Sequence, residues 1–198
     1  MRRLLALALP ALAACSPEGR VIHEPHAVVA VADTAAPFRE IQLDPAFEAE
    51  QLEAMHRGIE TWFRAIPEMR VPVVIGYGAE GNVVRFIRRM GEPMKVEVNE
   101  DGVEVNEGGI EGSLLAFVLD GGTVNLWADG LPSNKLANVA AHELGHVYGM
   151  GHLDLETSDP SALMRPIVSS ELSCVTEEDL ELARHSVVFQ TAEPTCIR

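Results

Sequence analysis

The chain has 198 residues, 47% of them hydrophobic, which suits one domain with a sizeable core and excludes wholesale disorder. Its formal net charge is −15. A surface that acidic repels phosphate backbones, so nucleic-acid partners are excluded.

The first fourteen residues stand apart. Arg2 and Arg3 form a positive n-region, and residues 4–14 are an apolar run broken by Pro10. The run is far short of the roughly 20 residues needed to cross a bilayer as a helix. It reads as a secretory signal peptide, whose removal takes the net charge from −15 to −17. It ends in Leu12-Ala13-Ala14-Cys15, which resembles the lipobox of bacterial lipoproteins, where the Cys15 thiol is acylated and becomes the new N-terminus. Ala11-Leu12-Ala13 is also an A-x-A site for ordinary cleavage after Ala13; the cysteine at that one place argues for lipid. The implied location is a bacterial membrane, facing the periplasm or the exterior, and Ser16 resembles the outer-membrane sorting choice.

Residues 15–40 carry Pro17, Pro25 and Pro37 among small residues without a sustained amphipathic period, and read as a tether. His23 and His26 fall here as solvated linker histidines. Residues 41–198 read as one domain. Asp44 is placed to cap a helix with Pro45 at its first position. Phe47, Leu52, Met55, Ile59, Trp62 and Phe63 then recur at near-helical spacing up to Pro67. Strands are predicted over 71–77 and 83–89. Residues 95–98 and 103–106 flank Asn99-Glu100-Asp101-Gly102, whose Asp-Gly signals a hairpin. Apolar stretches follow at 114–119 and 124–128, then a helix over 134–148. Thr176, with Asp179 three residues on, offers an N-cap for a last helix. Helix, strands, helix, turn, helix predicts an α+β domain. With Cys15 taken by lipid, Cys174 and Cys196 remain as an even pair in an oxidising compartment. A disulfide between them would close a loop of about 20 residues, worth roughly 3 kcal/mol in the chain-entropy account.

The chemistry lies in Ala141-His142-Glu143-Leu144-Gly145-His146-Val147-Tyr148-Gly149-Met150-Gly151-His152. On a helix, His142 and His146 are one turn apart on one face, so both imidazoles can reach one ion. Glu143 sits beside them, able to touch a metal-bound water without being a ligand. Gly149 can take the left-handed conformation that ends a helix, and the chain can then turn back to deliver His152. Three neutral ligands leave zinc a positive charge and an open position for water, as hydrolysis needs. Such a group would be costly to bury without a partner.

As it stands here, HExxHxxGxxH resembles the metzincin signature, and Ser161-Ala162-Leu163-Met164-Arg165-Pro166 resembles the Met-turn that underlies the zinc site. Asp159-Pro160-Ser161-Ala162-Leu163-Met164 followed by Pro166 is similar in particular to matrixins, and the likeness runs over about residues 110–186. It implies a metzincin-like zincin fold: a mixed twisted sheet, an active-site helix, the Met-turn and a C-terminal helix. It implies a zinc endopeptidase with one catalytic Zn2+ ion, in which a zinc-activated water attacks a peptide bond and Glu143 is the general base. Met164 is then the Met-turn methionine, and Asp179 matches an aspartate that braces that turn. Val139 and Pro166 through Val168 would line the pocket for the residue after the scissile bond. Residues 112–117, with Leu115 and Ala116, resemble an edge strand that pairs with extended substrate; plain sheet core is the equal alternative for those two.

There are departures. Leu153 follows the third histidine where matrixins usually have serine, the segment from there to Asp159 is longer, and Arg165 replaces an aromatic. No tyrosine stands after the Met as an extra ligand, so the astacin and serralysin branches fit less well. No histidine lies between His56 and His142 for a second, structural zinc, and calcium has no support in the sequence. The expected partners are a peptide or protein substrate and, through lipid, a membrane, with the chain acting as a monomer. A non-catalytic zinc-binding surface lipoprotein or adhesin could carry the same ligands, although binding alone does not need Glu143. An aminopeptidase-type metzincin is the remaining alternative.

Overall fold

The computed structural model describes residues 38–78, 80–99, 102–104, 110–119, 122–154, 156–166, 168, 171–187 and 189–198. The leader, Cys15 and the tether to residue 37 lie outside the described residues, as do Ile167 and the end of the strand expected at 103–106. Phe38 packs edge-on against Tyr148 with ring centroids 5.3 Å apart, and Arg39 N–H donates to the Asn82 carbonyl at 2.9 Å.

A five-stranded sheet holds β1 (Ile41–Leu43), β2 (Val73–Ile75), β3 (Val84–Arg88), β7 (Ala116–Leu119) and β8 (Thr123–Leu126), in the order β2-β1-β3-β8-β7. All neighbours are parallel except β7, which closes one edge antiparallel to β8. A separate antiparallel sheet is built from β4 (Met94–Asn99), β5 (Gly102–Glu104) and β6 (Ile110–Leu114), with Asn99 opposite Gly102 across the predicted hairpin. The apolar run expected as a single strand over 114–119 therefore splits at Leu115. Only its first residue, Leu114, belongs to the small sheet, and Ala116–Leu119 form β7 in the large one. Leu115 itself is buried, and its carbonyl accepts from Trp127 N–H at 2.9 Å.

Helix α1 (Ala49–Ala65) and helix α2 (Ser133–Val147) pack on each other. Met55, Ile59, Trp62 and Phe63 face the core at helical spacing and are essentially buried. Gly58 lets the two helices touch: a Cβ there would sit 2.1 Å from the Ala137 carbonyl oxygen. Trp62 completes the seam by donating its indole N–H to the Ala141 carbonyl at 2.8 Å.

The start of α1 corrects one expectation. Asp44 does not cap it; the N-cap is Glu48, whose N–H donates to the Gln51 side chain at 3.0 Å. The Asp44 carboxylate is already engaged, accepting from Ala46 N–H at 2.9 Å and from Arg88 N–H of β3 at 3.1 Å. Those contacts fold 44–47 into a turn, so the helix begins after it.

Helix α3 (Glu177–Ser186) starts at the capping box read from the sequence, with Thr176 and Asp179 bonded reciprocally. Two short strands, β9 (Cys174–Val175) and β10 (Thr195–Cys196), pair antiparallel and are joined by the Cys174–Cys196 disulfide. The C-terminal segment thereby runs back along α1, where Glu193 N–H donates to Ala65 and the Arg64 guanidinium donates to the Cys196 carbonyl.

Candidate metal centre

Helix α2 carries His142 and His146 on one face, and its end is a turn that reverses the chain. Gly149 has φ of 84°, Gly149 N–H donates to the His146 carbonyl at 2.9 Å, and Met150 N–H reaches back to the Gly145 carbonyl at 3.1 Å. This is a Schellman stop, and it needs the left-handed conformation that glycine adopts without strain. The reversed chain brings His152 against the helix. The three Nε2 atoms then lie 2.9 Å (His142–His146), 3.0 Å (His146–His152) and 3.2 Å (His142–His152) apart.

Backbone carbonyls set two of the rings. His142 Nδ1 lies 2.8 Å from the Leu163 carbonyl and His146 Nδ1 lies 2.8 Å from the Met150 carbonyl. A carbonyl only accepts, so each Nδ1 carries the proton and each Nε2 presents a bare lone pair to the centre of the triangle. Burial and its histidine neighbour push the His142 pKa down to about 3, and burial lowers His146 and His152 as well. All three imidazoles are thus kept in their neutral, ligating form. The bare lone pairs of His142 and His146, 2.9 Å apart, repel, and a cation between them removes the repulsion. A tetrahedral zinc with Zn–N near 2.0–2.1 Å places its nitrogens about 3.3 Å apart, close to the observed triangle. The residues present fit that ion. His146 and His152 are partly exposed, so water reaches the cluster from their side, while Glu143 is fully buried next to His142.

Beneath the cluster, residues 161–166 form the Met-turn. Met164 is fully buried and lies against Gly145, where a Cβ would meet its sulfur at 2.4 Å. The same turn supplies the Leu163 carbonyl that orients His142, and its Met164 carbonyl accepts from Leu153 N–H just after the third histidine. Asp179 holds the turn from below, accepting from Leu163 N–H at 3.0 Å, Met164 N–H at 2.8 Å and Thr176 N–H at 2.8 Å. Burial pushes the Asp179 carboxyl above the ordinary aspartate range, against the pull of these donors.

Residues 92–185 match the sequence model of the family described as Matrixin. Over that segment the chain is matrixin-like. The match takes in β4 to α3 and with them the histidine cluster and the Met-turn, extending somewhat further toward the N-terminus than the motif resemblance alone. No curated protein matches the chain. Among the residues of the expected substrate pocket, Val139, Leu115, Ala116 and Val168 lie in one buried apolar cluster of the matrixin-like domain, and Pro166 is buried. Ala116 lies in β7 at the sheet edge.

Sequence reasoning missed two supports of the centre. Trp62 was visible as an apolar helix residue, but not as the donor to Ala141, the residue before His142. Asn138 was not singled out at all. Its signal was position: a polar residue one turn before His142 on a buried face must find partners.

Asp179→Ala would leave two buried backbone N–H groups, of Leu163 and Met164, and the part-buried Thr176 N–H without their acceptor. It should cost about 3 kcal/mol, with Asp179→Asn costing less. Denaturant unfolding of both variants checks this, and a loss under about 1 kcal/mol for Asp179→Ala would show that the carboxylate does not brace the turn.

Proposed function

We propose that this matrixin-like protein is a zinc endopeptidase that hydrolyses peptide bonds with Glu143 as general base. The observation that carries the reading is the triangle of Nε2 atoms with a buried carboxylate on the adjoining residue. A structural metal site needs no such base. Zinc, when bound, polarises the scissile carbonyl and makes water more acidic. His142, His146 and His152 would hold it. Glu143 takes the proton from the attacking water and returns it to the departing amine nitrogen. The edge position of β7 suits pairing with an extended peptide.

Glu143→Gln should keep its zinc and lose turnover by about three orders of magnitude. Metal analysis alongside cleavage of a fluorogenic peptide library tests both halves. Cleavage persisting at wild-type rate would sink the mechanism.

The same proposal places the protein outside the cytoplasm, anchored by lipid on Cys15. Support comes from the leader and from the Cys174–Cys196 disulfide, which suits an oxidising compartment. Cys15→Ala should move the protein from the membrane fraction to the soluble fraction of cells; an unchanged distribution rules the anchor out.

A further inference from the structure

Helix α2 rests on α1 along a row of small residues, Ala137, Ala141 and Gly145, spaced one turn apart. Gly58 of α1 takes the first two: a Cβ there would stand 2.1 Å from the Ala137 carbonyl oxygen and 3.2 Å from the Ala141 nitrogen. Trp62, fully buried one turn on, takes the last two. Its indole N–H donates to the Ala141 carbonyl at 2.8 Å, and its ring lies 3.4 Å from where a Gly145 Cβ would be. The Met164 sulfur meets that same position at 2.4 Å, so the turn that carries the ligands touches both the indole and the Met-turn.

His142 and His146 each come one residue after this row. One residue is about 100° around the helix, so the Trp62 side and the metal side of α2 turn together. Side-chain tips lie about 5–6 Å from the axis, and a rotation of about 10° carries an imidazole nitrogen about 1 Å. Metal–ligand distances hold within about 0.2 Å. Alanine and glycine present little relief to resist such a rotation. A hydrogen bond does resist it, because it is directional and ties one carbonyl of the ligand-bearing turn to a donor on α1. A helical carbonyl keeps a second lone pair for such a donor beyond its bond within the helix.

We infer that Trp62 is a positioning residue for the metal centre: its indole N–H fixes the rotation of α2 and with it the affinity for zinc. This rests on the zinc part of the reading above and not on peptide hydrolysis. Coupling between two sites is reciprocal, so zinc must in turn hold the indole in place.

The test measures zinc affinity by chelator competition for the wild type and for Trp62→Phe, which keeps an aromatic ring and removes the N–H. Where both are folded by circular dichroism, the variant should bind zinc about tenfold more weakly. A loss of folding stability alone leaves the affinity of the folded form unchanged, and an affinity within about twofold of wild type overturns the inference. Hydrogen exchange on the wild type tests it without any variant. Zinc should slow exchange of the Trp62 indole N–H about tenfold more than that of Trp127, and equal slowing at both overturns it. A wild type that binds no zinc overturns the metal reading and this inference together. A wild type that binds zinc but cleaves no peptide overturns the endopeptidase reading and supports this inference if Trp62→Phe binds more weakly.

Discussion

Three imidazole Nε2 atoms held within 3.2 Å of one another are the constraint on which this structure turns. Left to themselves, neutral imidazoles do not gather this way; the arrangement costs electrostatic repulsion and desolvation until a cation joins it. Each element around the cluster can be understood by how it meets that cost. The Schellman stop at Gly149 brings His152 round and places the Met150 carbonyl that orients His146. The Met-turn places the Leu163 carbonyl that orients His142 and fills the space under Gly145 with Met164. Neither turn touches the ion's position directly. Both fix the tautomer and the angle of the groups that do.

Rigid turns need rigid supports, and the chain supplies them from parts remote in sequence. Gly58 and Trp62 seat α2 on α1. Asp179 ties the Met-turn to the first turn of α3, and Cys174 N–H ties β9 to Ser161 within the Met-turn segment. The disulfide then joins β9 to the C-terminal strand that lies along α1, across a sequence separation of 22 residues. A loop of that length is worth about 3 kcal/mol of stability in the chain-entropy account. It also links the seat of α2 and the floor of the metal centre into one closed frame, the kind of second support a preorganised site requires.

What was legible in the sequence was whatever is local. The spacing of His142 and His146, the glycine that ends their helix, the Thr176–Asp179 capping box and the α+β order all depend on residues a few positions apart. The matrixin likeness is legible for the same reason, since its motifs are short and contiguous. Misreadings arose where a partner far along the chain decided the outcome. Asp44 looks like a helix cap until Arg88 N–H of β3 claims its carboxylate. The apolar run over 114–119 has no break of its own, yet the two sheets divide it at Leu115. Asn138 stays silent because its partners lie 33 and 35 residues away. Hydrophobic periodicity reports that a residue is buried; it does not report what the residue will meet there.

The most direct test of the central claim is anomalous diffraction at the zinc edge from crystals of the zinc-loaded protein. The account predicts a single peak about 2.1 Å from the Nε2 atoms of His142, His146 and His152, with solvent as its remaining neighbour. A peak bound by two of these rings while His152 points elsewhere, or no peak within the triangle, would contradict it.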